Sequence, residues 1–241
     1  ARITPRTKAI LAVHLFGRPA PLAELGQFGV PVIEDAAQAF GSSDIARGGV
    51  ASTFSFYPTK NLFSIGDGGL VSTDDPELAE RVRLLRFHGS RDKVDFELIG
   101  YNSRLDEIQA AVLRIFLAEL DGWVSLRREA AARYAELGLG AVCELPDDEP
   151  GHVYHLFVCR SIERDRIRSA LKEAGIGSAV YYTTPLHLQP AFSALAYARG
   201  ALPVTEQLAQ ENFSVPIWAG IDAATQEQVV SVVQASAPVA S

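Results

Sequence analysis

The stretch Val30-Pro31-Val32-Ile33-Glu34-Asp35-Ala36-Ala37-Gln38 decides the fold. Val30 to Ile33 is a short apolar run without polar alternation, the pattern of a strand covered on both faces inside a parallel sheet. It ends on two carboxylates. Working outward, Lys8 to Leu15 reads as an earlier strand of the same buried type, with a short helix from Pro21 to Phe28 between the two. Strand and helix signals that alternate in this way place the chain in the α/β class, with a mostly parallel central sheet. Open α/β sheets hold their ligands beyond the carboxyl ends of the strands, and this pattern delivers Asp35 there.

The second informative run is Thr53-Phe54-Ser55-Phe56-Tyr57-Pro58-Thr59-Lys60-Asn61-Leu62. Phe54 and Phe56 alternate with Ser55 and Tyr57, giving a strand with two distinct faces. Pro58 ends it and Lys60 follows in the turn. Taken singly, Asp35 reads as a helix cap or a solvated strand-end carboxylate, Lys60 as surface charge, Ser55 as a polar edge position and Gln38 as a turn cap. Taken together they fit one chemistry. A lysine beyond one strand and a carboxylate beyond another can bracket pyridoxal phosphate (PLP), the lysine bonded to it as a Schiff base and the carboxylate keeping its ring nitrogen protonated. Partial burial among the aromatics would lower the lysine pKa and leave a neutral amine for attack on the aldehyde. In the same reading Gln38 hydrogen-bonds the phenolic oxygen and Ser55 the phosphate.

Composition narrows the alternatives. The chain has 241 residues, 48% hydrophobic and 21% charged, which suits a soluble globular protein with one large domain or two smaller ones. A net charge of -7 leaves no basic face to track a nucleic-acid backbone. Cys143 and Cys159 lack metal-ligand spacing and are too few for a disulfide framework, so a reduced, cytoplasmic setting is expected. No apolar run is long enough to span a bilayer, and the start lacks a signal-peptide pattern. The chain opens with Ala1 and contains no methionine, and this start reads like the middle of a domain.

Gly66-Asp67-Gly68-Gly69 allows unusual backbone angles before a strand from Leu70 to Thr73. It precedes a strand instead of leading from one into a helix, so it is no dinucleotide fingerprint. A helix starts near Pro76, and Ser103 is placed to cap another whose apolar stripe is Leu105, Ile108, Val112, Ile115 and Phe116. Gly122 interrupts that pattern, and a further helix runs from Trp123 to Leu137. The domain boundary is expected near residue 125, giving a large domain over 1–125 and a small αβ domain over 126–241. In the latter, Val153 to Val158 and Ala179 to Tyr182 read as strands, and Arg164 to Glu173 and Ala223 to Val233 as helices. The tail after Gln234 is expected to fray. His152 and His155 fall on opposite sides of the first of these strands with no third ligand in view, so no metal site is expected. His14 and His88 read as structural.

Ile33 to Gln38, Phe54 to Asn61, Gly66 to Gly69 and Gly100-Tyr101-Asn102-Ser103-Arg104 together resemble the DegT/DnrJ/EryC1/StrS sugar aminotransferases, as do Thr4 to Gly17 and Tyr182 to Pro190. The resemblance implies the aspartate-aminotransferase-like fold (PLP fold type I) and a homodimer with active sites at the subunit interface. It implies Asp35 at the pyridine nitrogen, Gln38 near the ring oxygen, Ser55 on the phosphate and Lys60 as the Schiff-base lysine. Asn102 matches a residue that reaches the phosphate of the partner subunit's cofactor, and Arg104, Tyr182 and His187 fall in segments lining the substrate pocket. Family members begin well upstream of Ala1, with a segment that supplies a helix N-terminus for the phosphate and an aromatic stacked on the ring. The resemblance therefore marks this chain as N-terminally truncated, an incomplete large domain lacking on the order of a hundred residues. The stretches from Gly17 to Asp35 and from Gly41 to Phe54 are also shorter than is usual in the family.

The function so implied is transamination of a UDP- or dTDP-linked ketosugar with an amino acid donor, by resemblance usually glutamate, to make an aminosugar for a glycan or a secondary metabolite. Two other readings stand beside it. Sugar deoxygenases or dehydratases of the same family place histidine at the Lys60 position, so Lys60 disfavours that activity. A non-catalytic homologue acting as a binding or regulatory protein is the reading from another class.

Overall fold

The computed structural model describes residues 2–236; the fraying expected after Gln234 falls chiefly on residues 237–241, outside that range. The chain divides into two compact units. One comprises the chain up to Val124 together with Glu149–His155, and the other Ser125–Asp148 and the chain from Leu156 onward.

The first unit is built on a four-stranded sheet of β1 (Ile10–Val13), β2 (Val32–Asp35), β3 (Ala51–Ser55) and β4 (Gly69–Ser72), in that spatial order. β1, β2 and β3 run parallel and β4 antiparallel, with Val13, Asp35 and Thr53 aligned across the three parallel strands. β1 was expected to be buried on both faces, but Leu11 and Val13 are 64% and 44% exposed. It forms the edge of the sheet, and of its residues only Ala12 is buried. The connection to β2 is a single short helix, α1 (Leu22–Gly26), of five residues.

Between β2 and β3 the chain makes an irregular loop, and one buried carboxylate organises it. Glu34 is fully buried and accepts hydrogen bonds from the backbone N–H of Ala46 (2.7 Å) and Gly49 (2.8 Å), and a longer one from Gly48. Its second neighbour is His14, also fully buried, with Nε2 3.0 Å from Oε2. His14 Nδ1 accepts from Ala20 N at 2.9 Å, which leaves the ring proton on Nε2 to be donated to Glu34. Burial alone would push the Glu34 carboxyl up, but the backbone donors and His14 outweigh it and hold it below the usual carboxylate range. A depressed folded pKa means that this stability is present above the unfolded value, about 4.3, and is lost as pH falls through the folded one. Glu34→Gln turns an N–H group onto donors it cannot accept from. Urea unfolding at neutral pH is expected to show a loss of about 2–4 kcal/mol, and a loss under about 0.5 kcal/mol would contradict this role.

Two helices complete the unit. α2 (Pro76–Arg86) is capped by Asp75, which accepts from Glu77 N and Leu78 N, with Pro76 in the first turn where its missing N–H costs nothing. α3 (Glu107–Leu117) was expected to start at Ser103 and instead starts beyond Asp106. The reason lies in the backbone: Ser103 N donates to Arg86 O and Asn102 bridges Phe87, so this segment is drawn into extended pairing with the end of α2. Phe56, Leu62, Leu113 and Leu120 form the buried core, with Phe40, Leu105, Phe116 and Val124 packed on it. Each such side chain contributes about 1.5–3 kcal/mol by burial. This cluster clamps both sides of the turn that carries Lys60.

The second unit contains most of α4 (Leu120–Glu136), which runs through Gly122 without the expected interruption. It also holds β5 (Phe157–Arg160), α5 (Arg164–Glu173), α6 (Pro203–Glu211), β6 (Asn212–Val215) and α7 (Ala223–Ala235). β5 and β6 pair antiparallel, and Phe213, Ile167, Leu171, Val229 and Val233 are buried around them. Tyr134 of α4 is fully buried, with its ring 5.2 Å from that of Phe157 and its hydroxyl donating to Pro216 O at 2.7 Å. Two expected strands are corrected. Val153 to His155 is buried but joins no ladder, because Val153 N donates to Gly17 O and its carbonyl accepts from Asn61. Ala179 to Tyr182 reduces to one bridge, Ala179 with Ser214, because Tyr181 N turns to the Asn212 side chain. Among the described residues no helix is long and apolar enough to cross a membrane.

Candidate active site

Asp35 ends β2. Its carbonyl accepts from His14 N at 3.0 Å and the next amide, Ala36 N, donates to Thr53 O at 2.8 Å, so the backbone is held on both flanks. The side chain is half-buried, and Oδ1 accepts from Ala37 N at 3.1 Å. The other carboxylate oxygen remains directed to nothing within the described residues' hydrogen-bond network. Ser55 ends the neighbouring β3, with Oγ accepting from Tyr57 N at 3.3 Å, and its own O–H remains a donor. Gln38 stands three residues beyond Asp35. Its Oε1 accepts from Phe16 N at 2.7 Å, which fixes the amide and leaves Nε2 as the outward donor.

Lys60 sits in a turn closed by its own amide, which donates to Tyr57 O at 2.9 Å. Beyond it, Leu62 is in the core and Ser64 Oγ donates to Phe56 O at 2.9 Å. Lys60 is half-buried. Partial burial pushes its ammonium below the usual lysine range, and the Asp35 carboxylate opposes that shift. The two charged groups therefore feel each other across the ends of β2 and β3. Asp35 and Gln38 close and follow β2, and Ser55 and Lys60 close and follow β3, so all four belong to the carboxyl ends of the two central strands, where a neutral amine is easier to reach than on an exposed lysine.

The remaining candidates are on other segments of the chain. Asn102 and Arg104 are exposed on the segment between α2 and α3, where Asn102 Oδ1 accepts from Arg104 Nε and Nη2 at 3.3 and 3.2 Å. Arg104 also lies over the Phe87 ring, 5.6 Å from its centroid. Tyr182 and His187 belong to the second unit. Tyr182 is exposed beside Tyr181, whereas His187 is buried with Nε2 3.1 Å from Glu206 Oε1, and Gly200 N donates to the same carboxylate. Sequence reasoning passed over Asn61, whose burial one residue from Lys60 has no periodic signal. It also passed over Glu34, although a glutamate inside an otherwise apolar strand was a visible anomaly.

The family model for the DegT/DnrJ/EryC1/StrS aminotransferases matches residues 1–234. The pleiotropic regulatory protein of Geobacillus stearothermophilus is 44% identical to this chain, over 95% of the chain and 65% of its own length. The dTDP-3-amino-3,4,6-trideoxy-alpha-D-glucose transaminase of Streptomyces venezuelae is 45% identical, over 96% of the chain and 64% of its own length. The crystal structure of S. venezuelae DesV in complex with a ketimine intermediate matches with a TM-score of 0.93 at 43% identity, covering 99% of this chain and 67% of that one. The chain thus spans just under two thirds of the length of the two curated relatives, 65% and 64%. The architecture is that of PLP fold type I, the aspartate-aminotransferase-like fold, and the chain belongs to the DegT/DnrJ/EryC1/StrS aminotransferase family.

Proposed function

We propose that the protein carrying this chain is a PLP-dependent aminotransferase that moves an amino group from an amino acid, glutamate by preference, to a nucleotide-linked ketosugar. The observation that carries this reading is the half-buried Lys60 amine, lowered in pKa by burial and in electrostatic contact with Asp35 beyond the neighbouring strand. The donor set fits the cofactor: an amine for its aldehyde, a carboxylate for its ring nitrogen, the Gln38 Nε2 for its phenolic oxygen and the Ser55 hydroxyl for its phosphate. When bound, the cofactor supplies a conjugated ring able to take up electrons from the substrate α-carbon.

The protein's part is positioning and proton transfer. With the cofactor in place, Lys60 Nζ would take the proton from the donor α-carbon as general base and deliver it, as general acid, to the carbon that had been the cofactor's aldehyde. Asp35 would keep a proton on the ring nitrogen, and Ser55 and Gln38 would hold the phosphate and the phenolic oxygen. Asn102 would serve the phosphate in the partner subunit, and the exposed Arg104 and Tyr182 would meet substrate, while His187, buried against Glu206, would hold its segment in place. A homodimer is supported by the apolar side chains left in solvent by the first unit, among them Ile99 (97% exposed) and Ile108 (72%). Cys143 and Cys159 are buried free thiols, which supports a cytoplasmic setting.

The name of the G. stearothermophilus relative favours a regulatory role as the second reading. A retained lysine–carboxylate pair has no purpose in a protein without the chemistry, which favours the enzyme. Incubating the gene product that contains this chain with PLP, glutamate and a UDP- or dTDP-ketosugar decides between them. The enzyme reading expects the 2-oxo acid and the aminosugar in equal amounts; formation of neither, by protein that binds the sugar nucleotide, would support the regulatory one.

A further inference from the structure

We propose that Asn61 is a positioning residue for Lys60, registering it against Gln38 through the buried backbone of Val153; this rests on the reading of Lys60 given above. Asn61 is 5% exposed, and its Nδ2 donates to Val153 O at 2.9 Å. Its Oδ1 is buried and has no hydrogen-bond partner among the described residues. A side chain present only to fill space would do better as an apolar group, like its neighbour Leu62, because a buried amide with an unmet acceptor costs stability. What the amide secures is geometry.

The turn at Lys60 is restrained along the chain by the Lys60 N to Tyr57 O bond (2.9 Å) and by Leu62 in the core. Asn61 restrains it sideways, onto residues 149–155. Val153 is itself held in place by burial and its own backbone bond: it is 1% exposed and its N–H donates to Gly17 O at 2.9 Å. Gly17 has no room for a side chain, since a Cβ there would lie 2.9 Å from both His155 N and Val153 Cγ2, and its φ of +97° suits glycine alone. The preceding residue, Phe16, donates its N–H to Gln38 Oε1 at 2.7 Å. An unbroken series of bonds therefore runs from Gln38 through Phe16, Gly17, Val153 and Asn61 to Lys60. In PLP the aldehyde carbon and the phenolic oxygen are on adjacent ring atoms, so the groups that meet them must hold a fixed separation. Shortening Asn61 cuts that series at the link beside Lys60, without touching any group assigned to cofactor or substrate.

The test compares wild type with Asn61→Ala and the gentler Asn61→Ser in the full gene product. In cofactor-free protein, the pH dependence of Lys60 acetylation by acetic anhydride is read by mass spectrometry. In PLP-loaded protein, kcat and KM are read for the proposed reaction. A freed turn exposes Lys60, so the acetylation midpoint is expected to rise by about half a pH unit or more toward that of surface lysines. The expected kinetic signature is kcat down about ten- to a hundredfold per loaded site with KM within about twofold. An acetylation midpoint and kcat equal to wild type, with only the melting temperature lowered, would overturn the proposal and leave Asn61 as a packing residue. Wild-type protein that forms no covalent PLP adduct would instead sink the reading of Lys60, an outcome distinct from equality among the variants.

Discussion

Lys60→Ala is expected to leave the protein folded and to remove turnover, by at least roughly 10^4-fold in kcat, because the proposed mechanism uses this one side chain as both covalent anchor and proton carrier. The same substitution removes covalent capture of the cofactor. Borohydride treatment of PLP-loaded wild type should place a phosphopyridoxyl group on the peptide containing Lys60, and the variant should carry none on its remaining lysines, Lys8, Lys93 and Lys172. Leu62 and Ser64 hold the turn on one side and the Tyr57 carbonyl on the other, so the backbone survives loss of the amine. Retained transamination in Lys60→Ala would remove the residue from the chemistry altogether.

Asp35→Asn separates two effects that Lys60→Ala merges. The Asp35 carboxylate opposes the burial-driven fall in the Lys60 pKa, so removing its charge should lower that pKa further. In cofactor-free protein the Lys60 acetylation midpoint therefore moves down, opposite in sign to the shift expected when Asn61 is shortened. PLP capture by Asp35→Asn should persist, and reach to lower pH than in wild type. Turnover should nevertheless fall on the order of 10^3-fold, because a neutral amide cannot keep the ring nitrogen protonated and the electron-accepting power of the ring is lost. Steady-state rates together with the pH titration of the bound-cofactor absorption band check both parts. A loss of less than tenfold in kcat would leave Asp35 as a strand-end residue with no part in the chemistry.

The parts of this fold legible from sequence were those with local causes. β2 and α5 stand out because a short apolar run and an amphipathic repeat are local signals, and Pro76 marks the start of α2 by its missing N–H, whereas the alternating run Phe54 to Tyr57 shares only Phe54 and Ser55 with β3, whose ladder ends at Ser55. What stayed hidden depends on partners distant in sequence. Val153 to His155 has the composition of a strand, yet Gly17 and Asn61 take its backbone groups before a ladder can form. Ser103 has the chemistry of a helix cap, but its amide is committed to Arg86 O. β6 was missed because Asn212-Phe213-Ser214-Val215 is short and mixed, and burial comes from β5 beside it. Around the candidate site, the positions of Asp35 and Lys60 at the ends of two neighbouring strands were legible, whereas the Glu34–His14 pair and the Asn61 tether are tertiary hydrogen bonds that no spacing announces.

The most direct measurement is the 15N chemical shift of the ring nitrogen in PLP labelled at that atom and bound to the protein, compared between wild type and Asp35→Asn. If the Lys60 amine and the Asp35 carboxylate meet opposite ends of one ring, the nitrogen is protonated in wild type and loses its proton in the variant, while attachment at Lys60 is preserved. The same shift in both proteins, with the cofactor equally attached, would show that Asp35 does not touch the ring and would contradict the site described here.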